Sequence, residues 1–188
     1  EKGFDPERIL AITFTNKAAE EMKDRLVKQT GLSISRFPWV RTFHSACYSI
    51  LRVHCTQLGY HSPLQIYDSY KQQKLLKDIL VGRLNFDKRH VLPVLAQISS
   101  AKNSGNPSKY IDRRPKFNHI PLGDVFDLYE KELKKVNAVD FDNIIMMTRN
   151  LLRDHKDIRE KYQNYFEYIL CDEYQDTNNL QEELTQLL

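Results

Sequence analysis

Near the C-terminal end of the chain, Tyr168-Ile169-Leu170-Cys171 forms an unbroken apolar run that stops on Asp172-Glu173. A short continuous apolar run suits a strand buried on both faces of a parallel sheet. Two acids at the carboxyl end of such a strand are what a phosphate-transfer site needs. One carboxylate can hold Mg²⁺ against phosphate oxygens, and the other can orient and polarise an attacking water. Neighbouring side chains on an extended chain point to opposite sides, so the pair could divide these roles. The dipeptide alone is a weak pattern and reads equally well as the cap of a following helix.

A second apolar run, Ile9 to Ile12, leads into Thr13-Phe14-Thr15-Asn16-Lys17, and a third short one leads into Thr42-Phe43-His44-Ser45. Loops that leave a sheet edge and start a helix present N–H groups and hydroxyls suited to phosphates. An aromatic there can stack on a base without reading sequence. Phe14 is therefore either a base platform or a core residue at a strand end, and His44 either a strand contact or a structural histidine. Lys17 has no glycine-rich loop before it and is read as a surface or DNA-side residue, since no G-x-x-x-x-G-K-[ST] occurs in the sequence.

These groups need elements to position them. Arg8–Phe14 reads as a buried strand, and Thr15 and Asn16 can cap a helix over about 17–29. Residues 39–43 suggest a second strand, followed by a helix over 45–58 with Ala46, Ile50 and Val53 on one side. Asp68 can cap a helix burying Leu75, Leu76, Ile79 and Leu80, and Val91, Leu92, Leu95 and Ile98 stripe another. Residues 99–123 turn to Ser, Asn, Gly, Pro and basic residues, which is loop chemistry. Helices follow from Asp124 and from Asp140, the latter with Phe141, Ile144, Ile145, Thr148, Leu151 and Leu152 on one face. The strand at 168–171 and a helix carrying Leu180, Leu184 and Leu187 close the chain. Strand–helix alternation implies an α/β fold with a parallel sheet, interrupted by an all-helical insertion. The expected division is 1–52 with 139–188 for the sheet domain and 53–138 for the insertion.

Charge is unevenly spread. Residues 52–138 hold fifteen Lys and Arg against eight Asp and Glu, whereas 139–188 hold five against eleven. A basic middle suits a polyanion or, more plainly, a solvated lysine-rich surface. Lys102, Arg113 and Arg114 are the candidates for phosphate contact in the segment 86–118, which has seven basic and two acidic residues. Hydrophobic content of 41% is ordinary for a globular protein. No apolar run nears the roughly 20 residues that span a bilayer, so no membrane partner is expected. Cys47, Cys55 and Cys171, without a CxxC pair, read as buried thiols and point away from a disulfide framework or a zinc site.

The longer strings carry a family likeness. Asp172-Glu173-Tyr174-Gln175-Asp176-Thr177-Asn178 resembles motif II of the UvrD/Rep/PcrA group of superfamily 1 DNA helicases. Thr13 to Ala19 resembles motif Ia, Thr42 to Ser45 motif Ib, Ile98 to Asn103 the Ser-Ala-Lys-Asn element, and Val139 to Asp142 the return to the motor domain. They cover essentially the whole chain in the family's order. The resemblance implies a partial RecA-like P-loop motor domain (1A) carrying the helical insertion 1B. It implies Asp172 as Mg²⁺ ligand, Glu173 as catalytic base, Gln175 and Asp176 as links from the nucleotide site to DNA, and ATP with Mg²⁺ as cofactors. Phe14, Thr15, Asn16, Thr42 and His44 would meet single-stranded DNA, with 1B beside the duplex of a fork. The partners implied are single-stranded and forked DNA and the remaining helicase domains in cis (the rest of 1A, 2A and 2B). The expected location is the cytoplasm, at the nucleoid. Because the resemblance puts the phosphate-binding loop upstream of motif Ia, the chain is expected to be an internal piece, inert toward ATP by itself. A non-enzymatic DNA-binding module and a helicase–nuclease subunit are the competing readings.

Overall fold

In the computed structural model, residue 3 and residues 5–188 are described, and the chain divides into two compact units. One comprises residues 1–51 and 147–188, the other Arg52–Met146.

The first unit is built on a three-stranded parallel sheet ordered β2-β1-β7, with β1 Ile9–Thr13, β2 Val40–Thr42 and β7 Tyr168–Cys171. β1 pairs Ala11 with Val40 and Thr13 with Thr42 on one side, and Ile9 with Tyr168 and Ile12 with Cys171 on the other. Leu10, Ala11, Ile12 and Thr13 are all buried, as a central parallel strand with both faces covered requires. Helix α1 Asn16–Thr30 follows β1 and packs Met22, Leu26 and Val27 against Ala11, Phe37 and Val40. Gly31 ends it at φ 69°, its N–H donating to the Val27 carbonyl, a left-handed stop that glycine adopts without strain. Helix α2 Phe43–His54 starts directly from β2 and buries Ala46, Cys47 and Ile50. Val53, expected on that apolar side, is 57% exposed. On β7, Tyr168 and Leu170 are exposed while Ile169 and Cys171 are half-buried.

The second unit is mainly helical: α3 Ser69–Lys77, α4 Val91–Asn103, α5 Pro107–Arg113 and α6 Leu122–Lys135. Its core joins Leu76, Ile79 and Leu80 to Val94 and Ile98 of α4 and to Val125, Tyr129 and Leu133 of α6. The spacing of three and four residues puts each set on one helical face. The unit is not all-helical. β3 Gln65–Tyr67 pairs in parallel with β6 Ala138–Asp140, and β4 Lys116–Phe117 pairs antiparallel with β5 Ile120–Pro121. Residues 139–146, assigned from the sequence to the sheet domain, lie in this unit because Val139 and Asp140 are the β3 partners of Ile66 and Tyr67. The expected loop over 99–123 is largely helix. α4 runs on to Asn103, Gly105 turns the chain at φ 76°, and Asn106 caps α5 with Pro107 at its first position.

Helix α7 Phe141–Asp154, α8 Lys156–Tyr165 and α9 Asn179–Leu187 complete the chain. Asn178 and Gln181 form a reciprocal capping box on α9, which satisfies two otherwise orphaned N–H groups.

Candidate functional site

Because β1, β2 and β7 are parallel, their carboxyl ends lie along one edge of the first unit's sheet. Ligands of open parallel sheets bind outside that edge. Phe14-Thr15-Asn16, Phe43-His44 and Asp172-Glu173 all leave from it. The Asp172 N–H donates to the Ile12 carbonyl at 2.9 Å, which fixes the start of the acidic turn beside the end of β1.

The acid pair is not extended, as the residue pattern had suggested. The chain turns at Asp172-Glu173, and Glu173 sits in the left-handed region at φ 48°. Asp172 Oδ1 accepts from the Glu173 N–H at 3.1 Å, and this local bond helps hold the turn. A non-glycine residue at positive φ costs about 1 kcal/mol or more, and such strain gathers at functional sites. Gln175, in the short helical turn Tyr174–Asp176, donates from Nε2 to Glu173 Oε2. Both carboxylates are exposed, and among the described residues neither pairs with a cationic side chain.

Carboxylate oxygens are the hard donors that Mg²⁺ prefers, and Mg²⁺ is commonly held by one or two carboxylates plus substrate phosphates. Among the described residues no cluster of three or more His, Cys, Asp or Glu could hold a metal by itself. Asp172 with Glu173 therefore fits a magnesium ion that arrives with a nucleotide, and does not fit a resident metal cage.

The DNA candidates on the same edge differ in what they can offer. Phe14 is 37% exposed, and its ring lies 5.5 Å from that of buried Phe43, tilted by 51°. It is supported from below and open above. Thr15 caps α1 by accepting from the Ala18 N–H at 3.1 Å, and exposed Asn16 opens that helix. Thr42 is buried and its hydroxyl oxygen accepts from the Ser45 N–H at 3.2 Å, so its side chain serves as a helix cap. His44 is half-buried in the first turn of α2.

In the second unit one assignment is overturned. Lys102 is fully buried, with Nζ 2.6 Å from Glu130 Oε1 and 2.6 Å from Asp140 Oδ2. It also donates to Asn143 Oδ1 and lies over the Tyr129 ring. Its charge is consumed inside the unit, and it cannot be an exposed phosphate ligand. Tyr129 donates to Asp140 Oδ2 at 3.1 Å; burial, reinforced by the Asp140 charge, pushes its phenol far above the ordinary range. Arg113 and Arg114 are exposed and line a cleft of about 380 Å³ with Lys116 and Phe117. Arg114 Nη1 donates to the Tyr110 hydroxyl at 3.2 Å and its guanidinium lies over that ring, so the arginine is pre-oriented. Lys116 was not singled out from the sequence, where nothing distinguishes it from any other surface lysine. Among the described residues no helix is long and apolar enough to cross a membrane.

Comparison with known proteins gives a consistent picture. Residues 1–188 match the family described as the UvrD/REP helicase N-terminal domain. The chain is 39% identical over 186 residues to an ATP-dependent DNA helicase PcrA of Leuconostoc citreum, covering 97% of this chain and 25% of that protein. Proteins of the same name from Staphylococcus aureus and Staphylococcus epidermidis are 38% and 39% identical over 191 residues, covering all of this chain and 26% of each relative. The chain thus spans about a quarter of the length of these curated relatives. With its acid pair and its Phe-Thr-Asn loop on one sheet edge and a family match from end to end, the chain belongs to the UvrD/REP helicase N-terminal domain family.

Proposed function

We propose that this chain is the part of an ATP-dependent DNA helicase that supplies the magnesium and water side of the nucleotide site and part of the single-strand track. The observation that carries the reading is the shared sheet edge, where the Asp172 N–H is bonded to Ile12 of β1, two residues before Phe14. A change at the acidic turn would reach that loop through one strand end. A module that only bound DNA would have no use for two unpaired carboxylates there.

In this reading Asp172 holds Mg²⁺ and Glu173 is the catalytic base. Bound magnesium would neutralise phosphate charge and polarise the transferred group. Glu173 would take the proton of the attacking water; Gln175 fixes Oε2 and leaves the other carboxylate oxygen for that proton. Phe14 would stack on a base, while the N-terminal turn of α1 with Thr15 and Asn16 would face phosphates. Arg113 and Arg114 on the mainly helical unit, the 1B insertion in this reading, would contact the backbone of forked DNA. The parent would translocate 3′ to 5′ on single-stranded DNA and unwind duplex in repair, replication or recombination, with the rest of 1A and domains 2A and 2B in cis, at the nucleoid. The chain alone, which has no G-x-x-x-x-G-K-[ST] to cradle phosphates, would be inert toward ATP.

The test is Glu173→Gln in the full-length protein. The amide keeps the shape and loses the base, so nucleotide binding should persist while DNA-stimulated turnover falls about 100-fold or more. Turnover near that of the unaltered protein would sink the assignment. The isolated chain should hydrolyse ATP no faster than buffer, with or without oligothymidylate.

A further inference from the structure

The second unit carries a groove of about 350 Å³ between the length of α3 and the first turn of α4 that differs in kind from its other basic clefts. Tyr70 of α3 and Leu92 of α4 stand at its sides, 75% and 60% exposed, and Val91 lies beneath with its side chain in the core. Lys74 and Lys77, four and seven residues after Tyr70, continue along the same face of α3, and Lys88 stands on the opposite side. No carboxylate lines the groove, and among the described residues none of the three lysines has an acid within ion-pair distance.

The composition argues for a particular occupant. An exposed apolar pair rimmed by polar groups is the usual sign of a protein contact, and tyrosine is enriched among the residues that dominate such contacts. A polynucleotide track needs cations with aromatic platforms, and Leu92 gives a stacked base nothing. The clefts that suit phosphates lie elsewhere on the unit: one is lined by Arg89, His90 and His119, another by Arg113, Arg114 and Lys116. Their apolar lining is proline, Pro93 in one and Pro115 in the other, with half-buried Phe117, and neither presents an exposed leucine beside an exposed tyrosine. In the Tyr70–Leu92 groove, three ammonium groups with no carboxylate in the lining surround an apolar floor, which calls for apolar anchors flanked by carboxylates.

We propose that the groove formed by Tyr70, Lys74, Lys77, Lys88 and Leu92 docks an acidic amphipathic helix of a partner protein. Two apolar side chains on one face of that helix would seat against Tyr70 and Leu92. Its flanking carboxylates would meet the lysines, a helix-in-groove mode in which charge sets orientation and encounter rate. The proposal does not depend on the nucleotide or DNA readings of the other unit.

The experiment is fluorescence anisotropy of the full chain with an array of labelled helical peptides. Each carries two Leu or Phe anchors at varied spacing among glutamates, and lysine-for-glutamate copies serve as controls. At least one acidic peptide should bind saturably while its lysine copy does not. Leu92→Asp and the pair Lys74→Glu/Lys77→Glu should each weaken binding about tenfold or more. All three positions are solvent-exposed, so the thermal midpoint should not move, and Tyr70→Ala provides an independent check. Absence of binding across the array, or affinity unchanged in Leu92→Asp, overturns the proposal. So does an oligothymidylate that competes fully with the peptide and whose own binding is abolished by Lys74→Glu/Lys77→Glu but untouched by Leu92→Asp; that would make the groove a nucleic-acid track.

Discussion

Lys102 Nζ and Asp140 Oδ2 lie 2.6 Å apart, 38 residues distant in sequence, and both side chains are almost wholly shut off from solvent. Glu130, Asn143 and Tyr129 complete the cage around the ammonium group. Asp140 also accepts from the Asn143 N–H at 2.8 Å and so starts α7. Removing one member of a buried ion pair strands the other's charge, which typically costs about 3–5 kcal/mol. Lys102→Met should therefore destabilise the chain by that amount in urea unfolding. Adding Asp140→Asn should recover part of the loss, because it deletes the stranded anion. A single variant as stable as the unaltered chain would show the cage to be dispensable.

Glu132 provides a pH-dependent counterpart at the surface of the same unit. Arg83 donates to it at 2.9 Å and Lys135 at 2.7 Å, and these bonds, Arg83 first, pull its carboxyl down to about 2. An unfolded glutamate titrates near 4.3. A folded value below the unfolded one means the contribution is complete above about pH 4.3 and fades as pH falls toward 2. Unfolding midpoints of Glu132→Gln and the unaltered chain should thus differ at neutral pH and converge over that acid window. Parallel curves across the window would contradict the assignment.

Much of the sheet was legible because strand ends announce themselves locally. Ile9–Ile12 and Tyr168–Cys171 are apolar runs that stop on polar letters, and β1 and β7 end within a residue or two of where the runs do. Lys102 could not be read correctly for the opposite reason. Its partners, Glu130 and Asp140, come from α6 and from the end of β6, and nothing near residue 102 signals them. Ser104-Gly105-Asn106-Pro107 read as part of a loop over 99–123, yet Gly105 is a turn between two helices and Asn106 caps the second by accepting from the Lys109 N–H. Helix α8 went unread because it buries only Ile158 and Tyr162, too few anchors to make a stripe. β3 and β6 are three residues each and too short to show a period.

Asn137 is a second long-range tie hidden from sequence. It sits at φ 53°; its side chain accepts from the His61 N–H at 2.8 Å and donates to the His61 and Pro63 carbonyls at 2.8 and 3.0 Å. Asparagine tolerates this conformation better than most residues, and here it also holds the chain entering β3. Asn137→Ala loses three bonds and gains strain, an expected cost of about 2–4 kcal/mol. Asn137→Gly keeps the backbone comfortable and loses only the bonds, so it should be the milder of the two in thermal unfolding. If alanine and glycine were equally costly, backbone strain would have no part in it.

Phe14 and the arginines of the second unit should fail in different ways when DNA binding is measured. Phe14 carries no charge, and its exposed ring rests on Phe43 at 5.5 Å, so it can contribute stacking and nothing to counterion release. Stacking of a base on an aromatic ring is worth about 1–3 kcal/mol. Phe14→Ala should weaken oligothymidylate binding about fivefold to 100-fold or more while leaving the slope of log K against log[salt] unchanged. Arg113→Ala/Arg114→Ala should act in the reverse sense on forked DNA, flattening the slope by about 0.7–0.9 for each phosphate that is no longer neutralised. Lys102→Met, at a position buried away from solvent, should not alter the slope in protein that remains folded. A salt slope that changes with Phe14→Ala would mean that the ring organises phosphate contacts and does not stack. A slope that ignores both arginines would leave their charge as a solubilising surface.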